Sequence, residues 1–263
     1  MNYKSILNLI GILLAIFSFA FIPPLIVTFI YKETLSEIFL YSFLFLISLG
    51  GLMWFISRQK DLPLNISDGF IITTMFWVVL ACAGSIPFYF FGLSANDAIF
   101  ESVSGITTTG ATVIVGLDEL PKSLLLYRQL LQWIGGMGLI ILAVAVMPAL
   151  GIGGSQLYKM ELPGSHGNQK LTPKITDSAK ALWKIYFGLT LACALLYILS
   201  GMDLFDAIAH SLSTVAGGGF STHDESIGFF DSGLIEAVCI IFMLLSAASF
   251  AVHYAAIFGG KPL

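Results

Sequence analysis

The sequence predicts an all-α integral membrane protein of about six spanning helices with two re-entrant stretches between them. Three observations lead there. The 263 residues are 57% hydrophobic and 11% charged, whereas a soluble domain carries about a quarter charged residues. Six apolar runs are long enough for the roughly 20 residues that a hydrocarbon core of about 30 Å requires of a helix. Two strings of small and hydroxyl residues, Ser104–Val113 (SGITTTGATV) and Ser213–Thr222 (STVAGGGFST), interrupt this pattern 109 positions apart.

The spans follow in chain order. Ile6–Tyr31 holds Pro23 and Pro24 in its outer half, and no small-residue cleavage pattern closes it. It is expected to be a retained helix rather than a signal peptide. Ser36–Ser57, Gly69–Gly92, Leu124–Pro148, Ala179–Ser200 and Gly233–Phe258 complete the set. Cys82, Cys193 and Cys239 all fall in apolar runs and read as small core residues, not disulfides or metal ligands. The net charge of −4 is mild, and no basic patch suggests nucleic acid.

Charge predicts the orientation. With the N-terminus in the cytoplasm, the inner segments collect nine basic residues: Lys4, Arg58, Lys60, Lys159, Lys170, Lys174, Lys180, Lys184 and Lys261. The outer segments hold three, Lys32, Lys122 and Arg128, a positive-inside bias. Twelve of the sixteen acids fall outside, where a negative vestibule would concentrate cations.

At the offset of 109, Asp97–Thr112 falls on Asp206–Ser221: Asp-Ala-Ile repeats, and Ser102, Ser104 and Gly110 meet Ser211, Ser213 and Gly219. The repeats are parallel, because each is entered from the outside. Asp97–Ile106 as a helix is roughly 15 Å long, half a bilayer. Asn96 and Asp203 are the expected N-caps, and the helix's negative end would point at a cation near the midplane. The chain must then return to the surface through non-helical backbone, tolerated at that depth only if buried in protein or lining a watery path. Glycine permits the left-handed backbone that aims carbonyls at one axis. The two stretches therefore read as re-entrant loops whose carbonyls replace the hydration shell of a cation.

Other residues carry quieter expectations. Gly135, Gly136 and Gly138 in WIGGMG suit close helix packing or a bend. Glu101 and His210, at equivalent repeat positions, are expected to hold the loops by buried hydrogen bonds. His223, Asp224 and Glu225 are adjacent and do not readily converge on one metal, so a solvated outer loop is expected. Lys184 snorkels to the inner interface. Tyr158–Asp177 is an inner loop that either touches a cytoplasmic partner or simply connects. No phosphate-binding loop, HExxH or Ser/His/Asp set is present, so no enzyme is expected.

The motifs FESVSGITTTGATV, LLLYRQLLQWIGGMGLIILAVAVMPALGIGG and STVAGGGFSTHDESIG resemble the membrane subunit of Trk-type potassium uptake systems, in the TrkH/KtrB/HKT superfamily, over about residues 1–260. The resemblance implies four membrane–pore–membrane units around one potassium-channel-like pore, preceded by a two-helix extension. Here that gives 1–60 as the extension, 61–160 as the first unit and 161–263 as the second. It implies a filter with Gly110 and Gly219 at the filter-glycine positions, Thr107, Thr108 and Thr109 approaching it in the first unit, and Ala216, Gly217 and Gly218 in the second. The transported ligand is then the potassium ion, with no cofactor in this chain. The family implies bacterial inner-membrane localisation, a homodimer with one pore per protomer, surrounding membrane lipid, a cytoplasmic ring of nucleotide-binding regulatory subunits, and transport that is either channel-like or symport.

One departure is large. The third and fourth units, with their gating segment and basic residue, have no counterpart here. The chain is expected to be a fragment or truncated product, or two chains assemble one pore. Rival readings are a sodium-coupled or poorly selective cation transporter on the same scaffold, a non-conducting interaction protein, and an intramembrane enzyme using Glu101, His210 and Asp206.

Overall fold

Every regular element among the described residues is a helix. The computed structural model describes residues 3–58, 66–150, 175–248 and 253. Helix α1 (Tyr3–Ser18) passes through a 3-10 turn at Phe19–Phe21 into α2 (Ile22–Tyr31). Pro23 and Pro24 sit in the first turn of α2, where a missing N–H costs nothing. The proline pair thus restarts the helix, and Tyr3–Tyr31 remains one 29-residue apolar span. Helix α3 (Ser36–Ser57) returns beside α1. The two backbones meet at glycines: a Cβ on Gly50 would lie 2.5 Å from the Gly11 carbonyl oxygen. Small residues permit that approach in a bilayer.

The third expected span is two helices, α4 (Ile66–Gly84) and α5 (Ile86–Phe91), the second opening on Pro87. Then come the half-helix α6 (Ala95–Ile106), the long span α7 (Lys122–Leu150), α8 (Ile175–Leu199), the second half-helix α9 (Leu204–Ala216) and α10 (Gly233–Ala247). Tyr3–Tyr31, Ser36–Ser57, Asp68–Phe91 and Leu182–Leu199 are each long and apolar enough to cross a membrane. Their outward side chains are apolar, with Phe29, Phe55 and Leu195 all exposed, as lipid contact requires.

The expected span Gly233–Phe258 is not one unbroken helix. Helix α10 ends at Ala247, and Ala248 is extended, with φ −70° and ψ 141°. The imidazole Nε2 of His253 donates to the Leu245 carbonyl at 2.7 Å, a last-turn acceptor that also takes the Ala248 N–H at 3.2 Å. The expected inner loop, Tyr158–Asp177, lies outside the described residues up to position 174. All three cysteines are free, but only Cys193 is buried; Cys82 is exposed rather than in the core.

Helix α7 is the shared wall. On one side Phe21, Phe39 and Phe88 enclose the Tyr127 ring at centroid distances of 5.6, 5.7 and 5.2 Å, and the Tyr127 hydroxyl donates to the Gly84 carbonyl at 2.8 Å. On the other, Tyr186 donates to the Trp133 carbonyl at 3.0 Å and Trp133 donates to Thr190 at 3.0 Å. Glu33, between α2 and α3, accepts the Ser123 N–H at 3.2 Å and caps the start of α7. Both half-helices pack on α7, and that placement builds the site.

Candidate functional site: two abutting re-entrant loops

Each half-helix begins on a side-chain cap. In α9 it is the expected one: Asp203 accepts the Phe205 N–H at 3.1 Å. In α6 it is Ser94, not Asn96. Ser94 Oγ accepts the Asp97 N–H at 3.2 Å and donates to the Asp97 carboxylate at 2.7 Å. That reciprocal pairing over three residues starts the helix two positions earlier.

Each half-helix ends the same way. The Thr108 N–H donates to the Gly105 carbonyl at 3.0 Å and the Thr109 N–H to the Ser104 carbonyl at 2.9 Å. In the second unit Gly217 donates to Thr214 at 3.1 Å and Gly218 to Ser213 at 3.0 Å. Both are Schellman closures, which need a left-handed residue at the turn. Gly217 supplies it at φ +68°, and in the first unit Thr108 does so at φ +56°. A β-branched residue there is strained. Two residues later Gly110 (φ +79°) and Gly219 (φ +81°) are left-handed again. The repeat seen in the sequence thus returns as matched backbone handedness at positions 108 and 217, and 110 and 219.

The loops touch. A Cβ on Gly110 would overlap the Gly218 carbonyl oxygen. Of the expected site residues, Thr107, Thr109, Gly217 and Gly219 are exposed, Thr108, Gly110 and Ala216 are half-buried, and Gly218 is buried. Gly218 is covered by Gln132 of α7, whose Oε1 accepts the Phe220 N–H at 3.0 Å. The Thr107 hydroxyl donates to the Val103 carbonyl at 2.7 Å, so the Thr109 hydroxyl, 2.8 Å away, donates to it in turn.

The glycines of WIGGMG serve packing, as expected. A Cβ on Gly135 would overlap the Ile106 carbonyl, and one on Gly136 would lie 3.2 Å from the Ala216 Cα. Adjacent glycines therefore seat the ends of both half-helices against one wall.

Glu101 and His210 hold the ascending limbs, again at matched positions. Glu101 accepts the Thr112 hydroxyl at 2.9 Å, and His210 Nε2 lies 2.9 Å from the Ser221 hydroxyl. Thr112 Oγ1 then accepts the Ile114 N–H at 3.1 Å, and Ser221 Oγ accepts the His223 N–H at 3.0 Å. His210 Nδ1 donates to the Asp206 carbonyl at 2.9 Å, which leaves Nε2 of a neutral ring to accept from Ser221. Asp206, the third member of the supposed enzyme set, accepts the Thr222 hydroxyl at 2.8 Å and His223 Nε2 at 3.2 Å. All three are engaged in holding the second halves of the loops.

Arg128, one of the three basic residues counted on the outer side, is fully buried. Its Nε donates to Glu101 at 2.7 Å, Nη2 to Thr112 Oγ1 at 3.1 Å and Nη1 to the Ser221 carbonyl at 3.0 Å. The guanidinium also lies 4.3 Å from the Phe220 ring centroid. Starting α7 at Lys122 places Arg128 in the second turn, turned inward, where Glu101 compensates its charge. Removing either partner of such a pair costs about 3–5 kcal/mol. The available signal was an ionisable residue inside an apolar run, four positions before Gln132 on the same helix face.

Beyond the filter stretches the loops are tied a second time. Asp224 accepts the Gly116 and Leu117 N–H groups, each at 3.1 Å, and His223 Nδ1 pairs with Asp118. The His223 hydrogen bond holds the exposed Asp118 carboxyl below its usual range. His223, stacked 3.5 Å from Phe229, is therefore more than part of a solvated loop: it joins the two units. Among the described residues no cluster of His, Cys, Asp or Glu could hold a metal.

Comparison with known proteins gives the family. Residues 35–260 match the family described as TrkH, cation transport protein. A Trk system potassium uptake protein TrkH of Vibrio parahaemolyticus is 51% identical over 263 residues, covering 99% of this chain and 54% of that relative. The TrkH of Escherichia coli K12 is 46% identical over 262 residues, covering 98% and 54%. The crystal structure of the V. parahaemolyticus potassium transporter TrkH matches with a TM-score of 0.85 at 48% identity, over 99% of this chain and 53% of that one. The chain spans about half the length of the curated relatives it matches.

Proposed function

Because the chain belongs to the TrkH family of cation transport proteins, we propose that it moves potassium ions across the bacterial inner membrane. The backbone carbonyls of Thr107–Gly110 and Ala216–Gly219 then replace part of the ion's hydration shell. The observation that carries this reading is the matched left-handed pair in each of two abutting loops, at 108 and 110 and at 217 and 219. In an extended segment successive carbonyls alternate sides. Reversing the handedness of every second residue turns them toward one side, the arrangement a filter needs. The half-helices add the negative ends of their dipoles below the loops. The curated relatives named potassium uptake proteins support the choice of ion.

On this reading residues 1–60 brace the pore, and 61–160 and 161–263 are its first two units. The N-terminus is cytoplasmic, the assembly is a homodimer in lipid, and a cytoplasmic nucleotide-binding subunit regulates it. The membrane potential, worth about 2.3 kcal/mol per charge per 100 mV, drives uptake, with or without a symported ion. The test is uptake of potassium, rubidium and sodium by cells that lack their own potassium uptake and express the gene encoding this chain. Potassium and rubidium should enter and sodium should not. Equal uptake of all three overturns the selectivity, and none, with the protein in the membrane, overturns transport.

A further inference from the structure

We infer that Arg128 is a positioning residue for ion discrimination: one buried guanidinium sets the second filter loop against the first. The inference rests on the transport reading above and goes beyond it by naming what fixes the distance between the loops.

The three N–H directions of Arg128 are divided between the units. Nε and Nη2 go to Glu101 and Thr112 of the first, while Nη1 goes to the Ser221 carbonyl of the second, 93 residues away. The Phe220 ring beneath the guanidinium belongs to the second loop as well. Discrimination between cations depends on where carbonyl dipoles sit relative to one another, and Ser221 is two residues beyond Gly219.

Among the described residues the second unit has no equivalent device: Glu101 is matched by His210 at the offset of 109, and Gly233–Ala247 of α10 carries no Lys or Arg. His210 holds the Ser221 hydroxyl, leaving the Ser221 carbonyl to Arg128. Beside the second loop, on the α10 side, lies a cavity of about 380 Å³ lined by Gly217, Gly219, Ile227, Cys239 and Met243. The loop is therefore held from α7 by Arg128 and Gln132 and from α9 by His210.

Lysine keeps the charge but cannot direct three N–H groups in one plane, so R128K separates position from charge. The test measures potassium and sodium uptake, with membrane protein level, in cells expressing the gene with R128K or F220L. R128K should reach the membrane and take up potassium while losing about tenfold in potassium-over-sodium preference, the equivalent of one charge-assisted hydrogen bond. Unchanged preference in R128K, or a fall in rate with preference intact, overturns the proposal. If R128K fails to accumulate, F220L decides: it removes the ring that faces the guanidinium and the first half-helix at Gly105, and full preference in F220L overturns the proposal. If the unsubstituted protein takes up neither cation, the transport reading fails, and purified protein melted in potassium chloride against sodium chloride decides instead. A potassium-specific stabilisation that R128K abolishes supports the positioning role. One that R128K keeps, or none in the parent, overturns it.

Discussion

Gly110 and Gly219 occupy matched positions with nearly the same backbone, φ +79° and +81°, yet alanine should affect them unequally. A non-glycine residue in the left-handed region costs about 1–2 kcal/mol, and both variants bear that cost. At Gly219 it is the whole cost, because an added Cβ meets no atom within 4 Å. At Gly110 the Cβ overlaps the Gly218 carbonyl oxygen, which is backbone and cannot rotate away. Gly218 cannot retreat either: its N–H is bonded to Ser213 at 3.0 Å, and Gln132 Oε1 would lie 2.5 Å from a Cβ placed on it. Relief requires overpacking strain of about 1–3 kcal/mol and loss of the Phe220–Gln132 hydrogen bond, about 1 kcal/mol. The total for G110A is about 3–6 kcal/mol, against about 1–2 for G219A. Thermal melting of each purified variant in detergent, followed by tryptophan fluorescence, reads the difference, and cation uptake should fall further in G110A. Equal losses of stability in the two variants would refute the claim that the loops abut at Gly110.

Further outcomes follow from the same geometry. T108G exchanges a β-branched left-handed residue for what its repeat partner Gly217 already is; strain relief of about 1–2 kcal/mol, less about 0.5–1 for glycine's added unfolded-state entropy, should leave the melting temperature equal or higher, and a lower one contradicts the strain. G135A and G138A each gain about 1 kcal/mol of helix propensity. However, a Cβ at Gly135 comes within 2.7 Å of the Ile106 carbonyl carbon, while one at Gly138 meets side chains alone, the Trp77 ring at 3.0 Å and the Phe76 ring at 3.4 Å. G135A should lose several kcal/mol and G138A should melt within a few degrees of the parent; similar melting would count against the seating of α6 on α7. Asp118, held low by His223, contributes to stability above the ordinary carboxylate pKa of about 3.9 and loses that contribution as pH falls through its lowered value. Carboxyl NMR should give an Asp118 midpoint below that value, shifted back up in H223A; an ordinary midpoint in the parent would mean the outer tie is not made.

Hydropathy and turn chemistry are properties of neighbouring residues, so the elements they govern were legible. Ser36–Ser57 emerged with the bounds its apolar run predicts, Asp203 caps its half-helix, and the spacing of 109 reappears as matched left-handed residues. Glu101 and His210 hold their loops because equivalent positions in a repeat face equivalent neighbours. Elsewhere, local signals competed. Asn96 and Ser94 both suit an N-cap, and the reciprocal bonds of Ser94 with Asp97 decided between them. Helix α10 ends where His253 reaches back to the Leu245 carbonyl, which apolarity does not encode.

By itself, then, the sequence determined that this chain spans a membrane, that it contains one unit twice, and where each unit breaks its helix, because burial in lipid and left-handed turns impose their demands residue by residue. Only the tertiary structure decided what joins the units. The bonds from Arg128 to Ser221, Gln132 to Phe220 and Asp224 to Gly116 cross 93, 88 and 108 residues. They exist because α7 stands between the half-helices, with Gly135 and Gly136 letting both approach its backbone. A buried cation must find acceptors wherever packing places them, and packing placed them on both loops at once.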